Sequence, residues 1–251
     1  MKKKEGYQVK EESHFDRLAE AKGQIWWGSD TAAGIRRLSR RAKFVFQWLC
    51  SATNPNVLEL GCGTGAFSRF ILQELPLLRL TCCDISKKSV ELAARRYSGY
   101  KNVRFEVKDI LSHPYPDKEF DCVIGNSVLH HLPVDSALGS CFRVLSPGGI
   151  ILFFEPNMMN PQIAVEKNIA FIGRALQNSD DETAFFRWPL KKTLSSIGFE
   201  NVSVEPFDFL HPAIAGSLIN AVDKIGMRLE RTPILREISG SLFIRAYKPE
   251  R

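Results

Sequence analysis

The run Val57-Leu58-Glu59-Leu60, followed at once by Gly61-Cys62-Gly63-Thr64-Gly65, constrains this chain more than any other stretch. Four strand-forming positions lead into three glycines spaced two apart, and a helix-like run, Ala66 to Leu75, begins directly after them. That order demands a tight turn between a strand and a helix start. Glycine permits positive φ and lets a ligand lie against bare backbone. The helix start presents N–H groups that have no partner within the helix. The turn is therefore the expected seat of a nucleotide-like cofactor.

Alternation of strand and helix patterns continues beyond it. Strands are expected at Val57–Leu60, Leu77–Cys83, Val103–Lys108, Cys122–Gly125 and Gly149–Phe154, and helices near 31–50, 66–75, 87–97 and 134–145. Such βα repetition predicts an α/β fold with a doubly wound, mostly parallel sheet and helices on both faces. Two further strands, Val202–Val204 and Leu242–Tyr247, complete seven. Two stretches depart from simple alternation and read as helical insertions. One follows the fifth strand. The other, with Ile214, Leu218, Val222, Ile225 and Leu229 at helical spacing, separates the last two strands. We read residues 1–251 as one domain with an N-terminal helical cover (1–54), a cofactor-binding core (55–155), an insertion (156–188) and a C-terminal part (189–251).

Composition narrows the class. No apolar run is long enough to span a bilayer, and no signal-peptide core follows Met1-Lys2-Lys3-Lys4. The six cysteines form no C-x-x-C pair and no metal spacing, so buried structural thiols, no metal and a cytoplasmic location are expected. The net charge of +6 is concentrated in Arg36, Arg37, Arg40, Arg41 and Lys43. A solvated helix face is favoured over a polyanion site for this row, which argues against a nucleic-acid partner.

Taken alone, Gly61-x-Gly63-x-x-Ala66 also fits the loose dinucleotide fingerprint. The fuller pattern, with acidic Glu59 before the glycines, resembles motif I of class I S-adenosylmethionine-dependent methyltransferases. Later segments agree with that family: Asp84-Ile85 after the second strand, Asp109-Ile110 after the third, Asn126-Ser127-Val128-Leu129-His130-His131-Leu132 after the fourth, and Phe142-Arg143-Val144-Leu145-Ser146-Pro147-Gly148-Gly149. The resemblance is strongest over residues 55–155 and points to the small-molecule and quinone-type subgroup. It implies S-adenosylmethionine as methyl donor and S-adenosylhomocysteine as product. It implies cofactor contacts from Glu59, Gly61, Cys62, Gly63, Gly65, Asp84, Ile85, Asp109, Ile110, Asn126 and Ser127. Asp84 would accept from the ribose hydroxyls, Asp109 would lie beside the adenine amino group, and Arg36 or Arg37 would meet the cofactor carboxylate. Bland alternatives exist: Asp84 as a helix cap, Asp109 as a turn acid, Glu59 as a partner of loop amides. For the histidine pair a loop-ordering role is favoured; if one is the general base, it is His130.

The resemblance implies methyl transfer by in-line displacement to a small-molecule or lipid-like acceptor. No Asn/Asp-Pro-Pro-aromatic phrase follows the fourth strand, which disfavours exocyclic-amine acceptors. Glu155 and Asn157 read as loop-ordering residues rather than metal ligands. The cationic stretch 213–231 suits peripheral contact with a membrane surface, although packing on the domain is favoured. Rival readings are a nicotinamide-dependent oxidoreductase, an RNA methyltransferase and a non-catalytic cofactor-binding protein.

Overall fold

The computed structural model describes residues 12–17, 19–20, 28–50, 52, 54–168 and 183–251. One seven-stranded sheet organises the chain, in the spatial order β3-β2-β1-β4-β5-β7-β6. The strands are β1 (Asn56–Leu60), β2 (Arg79–Asp84), β3 (Val103–Val107), β4 (Phe120–Asn126), β5 (Leu145–Pro156), β6 (Glu200–Phe207) and β7 (Ser241–Tyr247). All neighbouring pairs are parallel except those of β7, which runs antiparallel to both β5 and β6. This is the expected doubly wound sheet with a terminal antiparallel strand. Helices α1 (Ala32–Leu49), α2 (Ala66–Glu74), α3 (Lys87–Arg96), α4 (Val134–Val144), α5 (Pro161–Asn168), α6 (Arg187–Ile197) and α7 (Ile219–Leu229) complete it.

Strand alternation divides the core into two layers. Leu58, Leu60, Val123, Ile151 and Phe153 pack on α4 and α6, through Leu138, Cys141, Leu190 and Leu194. Val57, Cys82, Ile124, Leu152 and Phe154 face α1 and α2, meeting Leu38, Ala42, Val45, Phe67 and Ile71. On this second face Phe154 and Phe243 stack with centroids 5.0 Å apart, and Phe44 and Phe207 close the cluster. Helix α1 starts where Thr31 caps it, its hydroxyl accepting from Gly34 N at 3.0 Å.

Several expectations need correction. The second strand begins at Arg79 rather than Leu77, and Leu77 is exposed. The fifth strand begins at Leu145, directly after α4. In the first insertion Val165 lies on α5, which buries none of its residues. Ile169, Ile172 and Leu176, which continue the helical spacing from Val165 in the sequence, lie outside the described residues, as does the Trp26-Trp27 pair before α1. The arginine row is not a solvated face. Arg36 bonds Asp223, Arg37 bonds Asp208, Arg40 bonds Glu230 and Arg41 bonds Asp208, so α1 is pinned to the C-terminal part of the chain. Five cysteines are buried, but Cys50 is exposed. Among the described residues no helix is long and apolar enough to cross a membrane.

Candidate functional site

β1 lies between β2 and β4, where strand order reverses, and the crevice at that point is where open α/β sheets bind ligands. A cavity of about 400 Å³ opens there, along the C-terminal ends of β1, β2, β3 and β4. Gly61, Cys62, Gly63, Asp84, Ile85, Asp109, Ile110, Asn126, Ser127 and His130 all line it.

The glycine turn is shaped by two constraints. Gly61 has φ +67°, and a Cβ there would sit 2.3 Å from Val128 Cγ2, so no larger residue fits under the loop after β4. Gly63 has φ +50° and no atom within 4 Å of a Cβ position. Its bare backbone faces open space inside the cavity. Gly61 N and Cys62 N donate to Cys83 O at 2.8 and 3.1 Å, tying the turn to the adjoining strand.

Asp84 holds the turn from the side. Its Oδ2 accepts from Gly63 N at 2.8 Å and its Oδ1 from Ser86 N at 2.9 Å. Burial raises its pKa, against the lowering effect of these backbone donors. Asp109 lines the cavity while its Oδ1 accepts from Leu111 N at 2.9 Å. Both carboxylates thus cap local backbone, and an ionised carboxylate still has lone pairs for a ligand. The helix-cap alternative for Asp84 is not what occurs at α3, because Ser86 is the capping residue there, its hydroxyl accepting from Ser89 N.

Of the expected cofactor contacts, Glu59 and Gly65 do not line the cavity. Alternation places Glu59 on the α1–α2 face of β1, only 1% exposed, where its Oε2 accepts from Ser68 Oγ at 2.6 Å and Cys82 Sγ at 3.5 Å. Burial pushes its carboxyl up to about 7. Gly65, with φ +80°, turns the chain into α2, and its carbonyl accepts from Tyr97 Oη at 2.7 Å.

The segment after β4 is held from beneath by one carboxylate. Glu155 Oε1 accepts from Val128 N and Leu129 N at 2.9 and 2.8 Å, and Oε2 lies 2.7 Å from His130 Nδ1. The loop-ordering reading of Glu155 is therefore correct, and the same residue orients His130. Ser127 adopts φ +56°, a left-handed conformation uncommon outside glycine, and its N–H donates to Phe154 O at 2.7 Å. Asn157 also orders backbone, its Nδ2 donating to Glu237 O and Ser239 O.

Sequence reasoning brought Arg36 or Arg37 to the site but missed the rest of the far wall. Arg41 is 4% exposed and donates to Asn126 Oδ1 at 2.6 Å, Ser241 Oγ at 2.7 Å and Asp208 Oδ2 at 3.2 Å. Arg37 donates to the same Asp208 oxygen at 2.7 Å. Burial, then repulsion from Arg37, brings Arg41 down to about 10, so it keeps its proton at neutral pH. Burial raises Asp208, but the two guanidinium groups outweigh it and hold the carboxyl below its ordinary range. Arg37, Arg41, Asp208 and Ser241 all line the cavity, whereas Arg36 does not and pairs with Asp223. Basic residues four apart on α1 were the only sequence signal, and their acidic partners lie more than 160 residues away. Phe15, Asn160, Gln162, Leu210 and His211 add a mixed outer wall.

Comparison with known proteins agrees with this geometry. Residues 57–149 match a family described as a methyltransferase domain. A malonyl-[acyl-carrier protein] O-methyltransferase of Ilyobacter polytropus is 33% identical over 99 residues, 39% of this chain and 37% of that protein. The chain therefore matches well under half the length of that relative. An uncharacterised methyltransferase of Mycobacterium bovis is 25% identical over 146 residues, 56% of this chain and 73% of that protein. Among solved structures, the N-methyltransferase NodS of Bradyrhizobium japonicum superposes with a TM-score of 0.62 at 19% identity, over 95% of this chain and 98% of that one. A Haemonchus contortus phosphoethanolamine N-methyltransferase gives 0.67 at 15% identity, over 95% and 60%. Residues 57–149 are thus similar to a methyltransferase domain, and the strand order is that of the methyltransferase structures on which the chain superposes.

Proposed function

We propose that this chain transfers a methyl group from S-adenosylmethionine to a small organic acceptor, free or carried as an acyl group. The observation that carries the reading is Gly63, whose bare backbone opens into the cavity that the Asp84 and Asp109 carboxylates also line. The donor set fits the cofactor. Carboxylates suit ribose hydroxyls, an adenine amine and a cationic sulfonium-ammonium ligand. The cavity volume lies in the ordinary range for small-molecule sites. Gly61, Cys62, Gly63, Asp84, Ile85, Asp109, Ile110, Asn126 and Ser127 are the assigned cofactor contacts, and residues 1–54 act as a cover through Phe15, Ala19, Arg37 and Arg41.

The bound sulfonium supplies an activated methyl group, so the protein's task is alignment and exclusion of water. Arg41 fixes the Asn126 side chain, and Glu155 fixes the backbone that follows it, so the acceptor meets a preorganised loop. His130 takes up the acceptor's proton. Glu155 Oε2, 2.7 Å from its Nδ1, orients the ring and offsets the charge it gains. That role applies to an acceptor with an acidic O–H or C–H. The ion pairing of Arg36, Arg37, Arg40 and Arg41 within the chain removes the motive for an RNA acceptor.

Two variants test the scheme. Titration calorimetry should show S-adenosylhomocysteine binding weakened at least about tenfold by Asp84→Ala, the loss of a charged hydrogen-bond acceptor. His130→Asn should leave that affinity intact and lower single-turnover methyl transfer by about 10²-fold or more. Equal affinity in the first variant would refute the ribose assignment. Unchanged turnover in the second would refute the base.

A further inference from the structure

We infer that α7 and the loop after it form a docking surface for an anionic lipid bilayer. The helix turns the unexpected side inward. Its buried positions are Ile219, Asp223 and Gly226, with Gly226 packed on Phe209. Asp223 and the following Glu230 are drawn in by Arg36 and Arg40 of α1. Those are the only acidic residues between 209 and 236. Their sequestration leaves the outer surface without an anion.

What remains outside is apolar and cationic. Leu218 and Ile225, two turns apart and so on one side of the helix, are 54% and 55% exposed. Ile234, beyond Pro233, is 82% exposed. Arg228 lies three residues from Ile225, and Lys224 and Arg231 extend the basic row along the neighbouring side, all three exposed. No ion pair of these three cations is present among the described residues.

Charge complementarity selects the occupant. A row of three cations beside protruding aliphatic side chains matches phosphate headgroups above acyl chains. Met227, Leu235 and Ile238 are exposed beside them, so several apolar side chains are available for insertion between headgroups. The inference is independent of methyl transfer, and its test needs neither cofactor nor acceptor.

The experiment is cosedimentation of the full chain with vesicles of phosphatidylcholine, with and without phosphatidylglycerol. Binding is expected only to the phosphatidylglycerol vesicles, and it should weaken as salt rises. Neutralising Lys224, Arg228 and Arg231 singly to Gln should weaken it roughly fivefold each. Ile225→Asn with Ile234→Asn should abolish it, with the circular dichroism spectrum unchanged because both side chains are exposed. Absence of vesicle binding, or binding indifferent to these substitutions, would overturn the inference. A homodimer in sedimentation velocity that Ile225→Asn dissolves would also overturn it, by assigning the patch to a second copy.

Discussion

Glu59 offers a test of the site's foundations that does not depend on any ligand. It is 1% exposed beneath α2, with Ser68 and Cys82 as its side-chain partners. Burial carries its carboxyl from an ordinary 4.5 to about 7, against the opposing effect of those hydrogen bonds. A carboxyl raised on folding holds its proton more tightly in the native state. Its contribution is therefore fully present below pH 4.5 and is lost as pH rises through about 7. At about 1.4 kcal/mol per pH unit between those values, the loss totals about 3 kcal/mol. Glu59→Gln keeps the shape and removes the titration. Urea unfolding of both proteins across a pH series from about 4 to about 8.5 isolates the effect, because the other titrating groups cancel in the difference. Wild type should lose about 3 kcal/mol relative to the variant across that range. A difference constant to within about 0.5 kcal/mol would refute the reasoning, because a carboxylate at its ordinary pKa would be solvated or paired with a cation.

Two further substitutions probe the cavity walls. Gly63→Val places a side chain in open space at φ +50°; it should cost about 1–2 kcal/mol of stability through backbone strain yet abolish S-adenosylhomocysteine binding in calorimetry, and retained binding would mean that the ligand does not lie against this turn. Asp208→Asn leaves Arg37 and Arg41 without their shared carboxylate and should destabilise the protein by about 3–5 kcal/mol in urea unfolding, with a loss below about 1 kcal/mol counting against a buried pair.

The parts legible in the sequence were those governed by local pattern. Val57–Leu60, Gly61 and Gly63 announced a strand and a tight turn because alternation and glycine spacing act over a few residues. The surroundings of Glu59 were not legible, for a related reason. An acidic residue two places before a glycine turn has its identity in the sequence, but which sheet face it occupies depends on the register with β2 and on Ser68 of α2. The arginines of α1 were visible as charges, and their partners were not, because Asp208, Asp223 and Glu230 come together with them only through the sheet topology. That same pairing overrode the periodicity of α7. The stripe Ile214, Leu218, Val222, Ile225 and Leu229 called for an apolar face inward, and Arg36 and Arg40 drew Asp223 and Glu230 in instead. Ile214 and Val222 still pack against Ala33, Leu210 and Ile219, while Leu218 and Ile225 are left outside. The left-handed Ser127 carried no signal at all, since its conformation is imposed by Phe154 and Glu155 of the adjoining strand.

The place where α7 joins the sheet has a consequence for how such a chain can change. Phe207, the last residue of β6, pairs with Ser241, the first of β7. The chain between them leaves and re-enters the sheet at one rung of a ladder, so it behaves as a cassette whose length the strands do not sense. Lengthening a loop of this kind costs little, about 0.6 kcal/mol for each doubling. The cassette also supplies Leu210 and His211 to the cavity wall. Its seat is keyed: Asp208, Asp223 and Glu230 plug into the arginines of α1. A foreign segment carrying those three acids at matching positions can be exchanged for residues 208–240, and that wall of the cavity would then be rebuilt without touching the glycine turn.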